Sequence, residues 1–318
     1  MNILVASAAD ARYALPLAVM LRSVASHLAP DAILDAYVLD DGLHPADRAK
    51  VCGSLTPNVR LHWISPPAPV AGLPMWGRMS NTTYRKLTLG EWLPPELDRV
   101  LWLDCDLLVT DDISRLWAID LGGRTLLAVR DERVPLISSR FGVAAWRELG
   151  LSPSEGYFNA GVLLVDLALW RNRQVYRRSI EYLHAYSNRV YFFDQEALNA
   201  VLVGQWGELD QRWNHNPMLD RLAGARRAAQ PAGVPWIIHF SGNLKPWNST
   251  RGGPYLDLYR RCLDQTAWSG WRARPSLRQS IIDQYESSRL RPLLYPAEKW
   301  WTVAVRAVTR TSSRPKET

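Results

Sequence analysis

The sequence predicts an α/β fold built around a mainly parallel sheet. Short apolar runs of strand length alternate with longer segments in which apolar residues recur every three or four positions. The first such pair is an apolar run at residues 2–6, followed by helical spacing over residues 13–28. Since strands joined by crossover helices run parallel and need cover on both faces, this order favours a sheet between two helical layers.

The same alternation continues along most of the chain. We expect one catalytic domain over residues 1–268, because Pro275, Pro292 and Pro296 divide the basic extension at 269–318 into short segments typical of a helical appendage. In sheets of this kind ligands bind at the carboxyl ends of strands. Further strand-like runs lie at 34–39, 59–64, 100–103, 126–129, 161–165 and 236–240, and helix-like segments at 45–55, 84–92, 182–186 and 194–203.

Charge and cysteine content narrow the possible partners. The net charge of +7 arises mainly in residues 271–318, where ten Lys or Arg stand against four Asp or Glu. Because the basic excess belongs to a tail and not to a groove, we expect no nucleic-acid partner. Three cysteines without a C-x-x-C pair indicate neither a disulfide framework nor a zinc site. The N-terminus does not read as a signal peptide, and no run of about 18 apolar residues predicts a membrane span.

Two carboxylates directly follow the apolar run at 100–103. Asp104 and Asp106 are one residue apart, so an extended backbone points both to one side, where they can hold Mg²⁺ or Mn²⁺ against a diphosphate. The alternative is a solvated turn after a strand, because aspartate favours turns.

A second polar cluster closes the run at 236–240. His239 can complete the metal site, Gly242 can let the backbone approach a phosphate, and Lys245 can neutralise that phosphate. The alternative is a strand-end histidine followed by a surface lysine.

Two more segments carry side chains suited to a sugar. Asn159 and Ala160 precede the run at 161–165, where an amide can bind hydroxyl groups and a small residue leaves room for them. A turn leading into a core strand is the alternative. Asp194 and Gln195 open the helix-like segment at 194–203, in which Asp194 is alternatively the N-cap.

Taken together, in this order and spacing, these motifs resemble the bacterial members of glycosyltransferase family 8, in particular its lipooligosaccharide galactosyltransferases. The similarity covers roughly residues 1–265 and rests on the segments at 6–13, 81–87, 104–106, 157–161, 194–195 and 239–247. The resemblance implies a GT-A type nucleotide-sugar-binding fold and a metal-dependent, retaining transfer of galactose or glucose from a UDP-sugar to a saccharide acceptor.

The resemblance also implies a role for each matching residue. The metal, Mn²⁺ or alternatively Mg²⁺, is expected on Asp104, Asp106 and His239. Gln195 is expected nearest the anomeric carbon, with Asp194 as the second catalytic candidate. The donor is expected to meet Asp10 and Tyr13 at the uracil and Gly242 and Lys245 at the diphosphate. Asn159 and Ala160, with Asp194 and Gln195, are expected to surround the sugar. Lys86, at the sugar and phosphate, and Asp104 complete the expected donor-binding residues.

Two residues depart from the pattern of close relatives. Arg12 stands where they carry asparagine, and Lys86 stands where they carry arginine, so Lys86 keeps the charge without the planar guanidinium. A UDP-sugar-binding protein without catalysis is therefore one alternative function. Transfer to a protein-linked glycan is another.

The tail has its own pattern. Trp300, Ala304, Ala307 and Val308 recur at helical spacing beside basic residues, which predicts an interfacial helix on anionic lipid. Such a helix suits a peripheral protein at the inner face of the cytoplasmic membrane, with a lipid-linked acceptor. A solvated basic end is the alternative.

Overall fold

The computed structural model describes residues 1–66, 68, 72–75, 80–218, 220, 235–242, 245–248, 255–274, 276, 277, 280, 281 and 284. The strands are β1 (Asn2–Ala9), β2 (Ile33–Asp40), β3 (Val59–Ile64), β4 (Arg99–Leu103), β5 (Leu107–Val109), β6 (Leu126–Arg130), β7 (Phe158–Asp166), β8 (Trp206–Glu208) and β9 (Ile237–His239). The α-helices are α1 (Ala14–His27), α2 (Pro45–Gly53), α3 (Leu89–Trp92), α4 (Ser114–Trp117), α5 (Leu167–Asn172), α6 (Val175–Ala185), α7 (Phe193–Val201) and α8 (Leu256–Leu263). Two 3₁₀ segments span Asn81–Thr88 and Gln211–Asn214.

Seven strands form the central sheet in the order β3-β2-β1-β4-β7-β6-β8. The first four are mutually parallel, β7 is antiparallel to both β4 and β6, and β8 is parallel to β6. The sheet is therefore mixed and mostly parallel, which confirms the predicted α/β class. The antiparallel β6–β7 pair is possible because no crossover helix of the βαβ kind joins these two strands.

Hydrophobic cores lie on both faces of this sheet. Along β1, Ile3 and Val5 pack into the core that contains α1, while Ala6 and Ala8 belong to the core on the opposite face. This burial on both faces is the reason that the strands read as continuous apolar runs.

A second, two-stranded sheet brings a distant segment to the end of β4. β5 follows the carboxylate pair and runs antiparallel to β9, with Leu107 opposite His239. The pairing carries His239 to the carboxyl end of the central sheet, beside Asp106.

Several predicted elements needed correction. The segment at 84–92 is a 3₁₀ turn followed by one turn of α-helix, with residues 84–88 buried. β7 begins at Phe158, so Asn159 and Ala160 lie within the strand and not in a turn before it. The helix predicted at 182–186 is the end of the longer α6. Within the described ranges, no helix is long and apolar enough to cross a bilayer. The predicted pattern around Trp300 lies outside the described residues.

Candidate active site

Three potential metal ligands converge at the carboxyl end of β4. Ligand atoms of Asp104, Asp106 and His239 all lie within 4.8 Å of one another, and His239 Nε2 is 3.3 Å from Asp106 Oδ1. Backbone hydrogen bonds fix the arrangement, because Asp104 N–H donates to Gly161 O and Phe240 N–H donates to Asp106 O, both at 2.9 Å. Two carboxylates and one imidazole form a donor set that suits Mn²⁺.

Cationic side chains balance the two carboxylates. Lys245 forms an ion pair with Asp106 and also donates to Phe240 O at 2.6 Å. Burial alone would raise the pKa of Asp106, but Lys245 and His239 outweigh it and hold that pKa below its ordinary value. Burial raises the pKa of Asp104 above its ordinary value, although the positive charge of Lys86 reduces this rise. Negative charge at this position is thus matched by positive charge brought from other elements.

Lys86 connects the carboxylate pair to α7. Its ammonium lies 3.1 Å from Asp104 Oδ1, 2.9 Å from Asp194 Oδ2 and 3.0 Å from Ala160 O. An ammonium has three N–H donors, so these contacts use its whole capacity. Burial lowers the pKa of Lys86, but Asp104 and Asp194 raise it above its ordinary value, and the residue stays charged.

Gln195 lies in a network of polar side chains beside this cluster. Its Oε1 accepts from Ala160 N–H at 3.1 Å, and its Nε2 donates to Asp131 Oδ2 at 3.2 Å. Asn159 Nδ2 donates to the same Asp131 oxygen at 3.0 Å. Two sequence-predicted sugar residues, Asn159 and Gln195, therefore meet at Asp131, a buried carboxylate at the end of β6, and Ala160 joins them through Gln195.

Asp194 is inside the first turn of α7 and is not its N-cap. The helix begins at Phe193, and Asp194 instead accepts from Thr83 Oγ1 at 2.7 Å while pairing with Lys86. Phe193 has a positive φ of 43°, a conformation that a bulky residue rarely adopts. Glu196, fully buried, accepts from Tyr191 N–H at 2.7 Å and so anchors the segment that leads into this turn.

The predicted uracil residues lie at the end of β1. Asp10 Oδ2 accepts from Arg12 Nη2 at 2.8 Å, and its Oδ1 accepts from Arg12 N–H at 2.9 Å. Burial alone would raise the pKa of Asp10, but hydrogen bonds from Arg12 and Ser80 outweigh burial and lower that pKa. Tyr13 packs edge-on against Trp247 with ring centroids 5.8 Å apart.

Gly242, expected at the diphosphate, adopts a φ of +104°. Glycine adopts this left-handed conformation without strain, which explains a glycine at that turn.

An open cavity adjoins the cluster. It reaches from His239 and Asn159 to the segment after β6 and the segment around the second 3₁₀ turn. Its lining is mostly polar and consists of Val129, Arg130, Asp131, Glu132, Arg133, Asn159, Gln211, Asn214, His215, Asn216 and His239.

Three residues of the site were not predicted from the sequence. Asp131 carries the same signal as Asp104, a carboxylate just after an apolar run, and that signal would have found it. Glu196 lies next to Gln195, but its burial depends on contacts with distant backbone. Asn214 donates to Asn159 Oδ1 at 2.9 Å, and its position far from any apolar run gives no signal.

Known proteins share this architecture. The most similar curated relatives include general stress protein A of Bacillus subtilis, 27% identical over 281 residues, 83% of this chain and 94% of the relative. Glycosyltransferase GlyA of Streptococcus pneumoniae is 32% identical over 181 residues, 57% of this chain but only 23% of the relative. The chain thus spans nearly all of one relative and about a quarter of the other.

Solved structures of glycosyltransferases are also similar to this chain. The galactosyltransferase LgtC, in complex with donor and acceptor sugar analogues, matches with a TM-score of 0.71 and 30% identity, over 84% of this chain and 96% of that one. The glycosyltransferase GlyE of Streptococcus pneumoniae matches at 21% identity with a TM-score of 0.62, over 89% of this chain and 62% of GlyE, which supports the GT-A fold alone.

The family model for glycosyl transferase family 8 matches residues 4–251. That range contains every residue of the metal-ligand cluster and of the polar network around Asp131. The chain therefore belongs to glycosyltransferase family 8.

Proposed function

We propose that this protein is a retaining hexosyltransferase that moves galactose or glucose from a UDP-sugar to a saccharide acceptor with Mn²⁺. The observation that carries the proposal is the convergence of Asp104, Asp106 and His239 within 4.8 Å, directly beside the network around Gln195. A metal-bound diphosphate and the sugar attached to it would need these two sets of groups side by side.

Asp104, Asp106 and His239 would hold the metal, which when bound neutralises the leaving diphosphate as a Lewis acid. Mg²⁺ is the alternative ion. Lys245 supports departure of the same group, because its ammonium already lies at Asp106 and can turn to a phosphate oxygen. Gly242, in its left-handed conformation, lets backbone approach the diphosphate. With this much positive charge at the leaving group, no protein acid is needed there.

Retention fits the groups that line the sugar. Gln195 is a poor base, so the acceptor proton is expected to pass to the departing phosphate on the same face. Asp194, the candidate for a covalent intermediate, has one oxygen on Lys86 and the other on Thr83. Such engagement lowers its nucleophilicity, which favours a single same-face displacement assisted by the Gln195 amide dipole.

The acceptor is proposed to bind in the polar cavity. Amide and guanidinium groups line it, and these suit the hydroxyl groups of a saccharide. The structure of LgtC contains an acceptor sugar analogue, which supports a saccharide as the acceptor. We propose a lipooligosaccharide sugar, with a protein-linked glycan as the alternative.

The basic C-terminal extension carries a separate proposal on domain limits and location. We propose a catalytic domain at residues 1–268 and an extension at 269–318 that binds anionic lipid at the inner face of the cytoplasmic membrane. The excess of basic residues and the tryptophans of that segment support this role.

A UDP-sugar-binding protein without catalysis is the second candidate. Two observations favour this binding function. Arg12 is hydrogen-bonded to the Asp10 carboxylate, and the three N–H donors of the Lys86 ammonium are already used, so none is left for a sugar hydroxyl. A screen of UDP-hexoses with and without Mn²⁺, with released UDP and sugar identified, separates the two. Metal-dependent hydrolysis supports the transferase. If the protein binds UDP-hexoses but turns over none of them, with or without saccharide acceptors, the transferase proposal is contradicted.

A further inference from the structure

A continuous chain of hydrogen bonds connects His239 to Gln195. His239 Nδ1 lies 2.8 Å from Asn214 Oδ1, and Asn214 Nδ2 lies 2.9 Å from Asn159 Oδ1. Asn159 and Gln195 then both donate to Asp131 Oδ2, at 3.0 Å and 3.2 Å. The proposed metal centre and the proposed sugar pocket therefore share one network, with Asn214 at its midpoint.

The ends of this network fix the orientation of each amide in it. Gly161 N–H, which can only donate, points at Asn159 Oδ1 from 3.0 Å, so that atom is the oxygen. The Asn159 nitrogen then faces the Asp131 carboxylate, which accepts. Since Asn159 presents oxygen to Asn214, the Asn214 atom that meets it must be nitrogen.

The orientation of Asn214 in turn fixes the tautomer of His239. Asn214 turns its oxygen to His239 Nδ1, so Nδ1 must carry a proton in order to donate. A neutral imidazole with its proton on Nδ1 has its lone pair on Nε2, the nitrogen that a cation held between His239 and Asp106 would bind. Histidine ligands commonly donate their other N–H to a fixed acceptor in this way, and loss of that acceptor weakens metal binding about 10–100-fold.

We infer that Asn214 is a positioning residue that couples the metal ligand His239 to the sugar-binding amide of Asn159. It prepares Nε2 for a cation by accepting from Nδ1, and it holds Asn159 by donating to its oxygen. Asn214 is itself 8% exposed and His239 5% exposed, so water does not easily replace either contact. The inference rests on the proposed function for the identity of the ion and the donor.

Two substitutions separate the two contacts of Asn214. Asn214→Ala removes both, so Mn²⁺ affinity measured by calorimetry in the presence of UDP should fall about 10–100-fold. Asn214→Asp still accepts from Nδ1 but places oxygen against the Asn159 oxygen. It should therefore keep Mn²⁺ affinity near that of the unchanged protein while lowering the affinity for UDP-galactose or UDP-glucose relative to UDP, by about tenfold.

A matched control and a direct measurement complete the test. Asn58→Ala removes a half-buried amide that is hydrogen-bonded at both ends, to Thr56 and Ala25, and far from this network, and it should change neither affinity. Nitrogen-15 NMR of His239 in the unchanged protein at pH 8 should show the proton on Nδ1, with or without Mg²⁺ and UDP.

Each outcome decides one of the two proposals. The role of Asn214 is overturned if Asn214→Ala leaves Mn²⁺ affinity unchanged or if both variants lose Mn²⁺ affinity equally. It is also overturned if Nδ1 of His239 carries no proton. Failure of the unchanged protein to bind Mn²⁺ with UDP contradicts the proposed function instead, and the NMR tautomer then still decides the inference. If Asn214→Ala does not fold, Asn214→Asp and the NMR measurement carry the test.

Discussion

Gly161 faces the His239 imidazole so closely that a β-carbon at this position would lie 2.3 Å from Cε1 and 2.7 Å from Nδ1. The ring and the strand backbone cannot both stay in place if a methyl group is added. Because Gly161 holds the backbone that supports Asp104 and Asn159 as well, this contact is central to the site.

Gly161→Ala should therefore displace His239 and weaken Mn²⁺ binding at least as much as loss of an outer hydrogen-bond partner does, about 10–100-fold. Calorimetry with Mn²⁺ and UDP measures the effect. Gly53→Ala is the control, because nothing lies within 4 Å of a β-carbon there. Equal Mn²⁺ affinity in both variants would show that His239 does not contact the ion.

Asp104→Asn and Asp106→Asn should each remove most activity, because an anionic oxygen ligand is lost while volume hardly changes. We expect a loss larger than the 10–100-fold that follows removal of an outer-shell partner. Both variants keep the backbone hydrogen bonds of this turn and should fold normally by circular dichroism. A near-normal rate with an unchanged Mn²⁺ requirement in either variant would show that the metal is bound elsewhere.

Gln195→Ala should slow transfer without abolishing it, because in the proposed mechanism the amide stabilises charge on the sugar but forms no bond to it. Under the same-face mechanism, mass spectrometry of the rapidly quenched enzyme should find no sugar attached to Asp194. Detection of such an adduct, together with complete inactivity of Asp194→Ala, would establish a double displacement instead.

The sequence predicted the fold class because strands buried on both faces leave continuous apolar runs, as at residues 2–6 and 100–103. The residue pattern also offered Asp104, Asp106 and His239 as candidate metal ligands, and the resemblance to glycosyltransferase family 8 joined them into one site. The structure confirms that these three come together.

Long-range pairing set the limits of prediction. Asn214 reaches His239 because the adjacent His215 forms a parallel bridge with Ile238 of β9, and no local pattern reports that contact. Lys86 was expected at the donor sugar, yet its surroundings of Asp104, Asp194 and Ala160 O depend on three separate segments. The 3₁₀ conformation at Asn81–Thr88 likewise reflects tertiary packing, since the apolar spacing there fits an α-helix equally well.

Truncation after Arg274 should reduce binding to anionic vesicles while leaving UDP-hexose hydrolysis intact. The cut preserves the ion pair between Arg272 and Asp264, at 2.6 Å, that closes the turn after α8. Co-sedimentation with vesicles containing phosphatidylglycerol, against neutral vesicles as control, measures the effect. Unchanged binding would reject the lipid role of the tail, and lost hydrolysis would show that the tail supports the site.

The anomeric configuration of the product distinguishes retaining from inverting transfer of the hexose from a UDP-hexose. Proton NMR of the saccharide product, made from an α-linked UDP-hexose with Mn²⁺, reports that configuration directly, because a glycosidic linkage does not mutarotate. Gln195 is a poor base, and both carboxylates beside it are engaged, Asp194 by Lys86 and Thr83 and Asp131 by Asn159 and Gln195. This engagement favours transfer on the face of the leaving group over activation of an acceptor from the opposite face. Retaining transfer gives an α-linked product, whereas a β-linked product would show that the enzyme inverts.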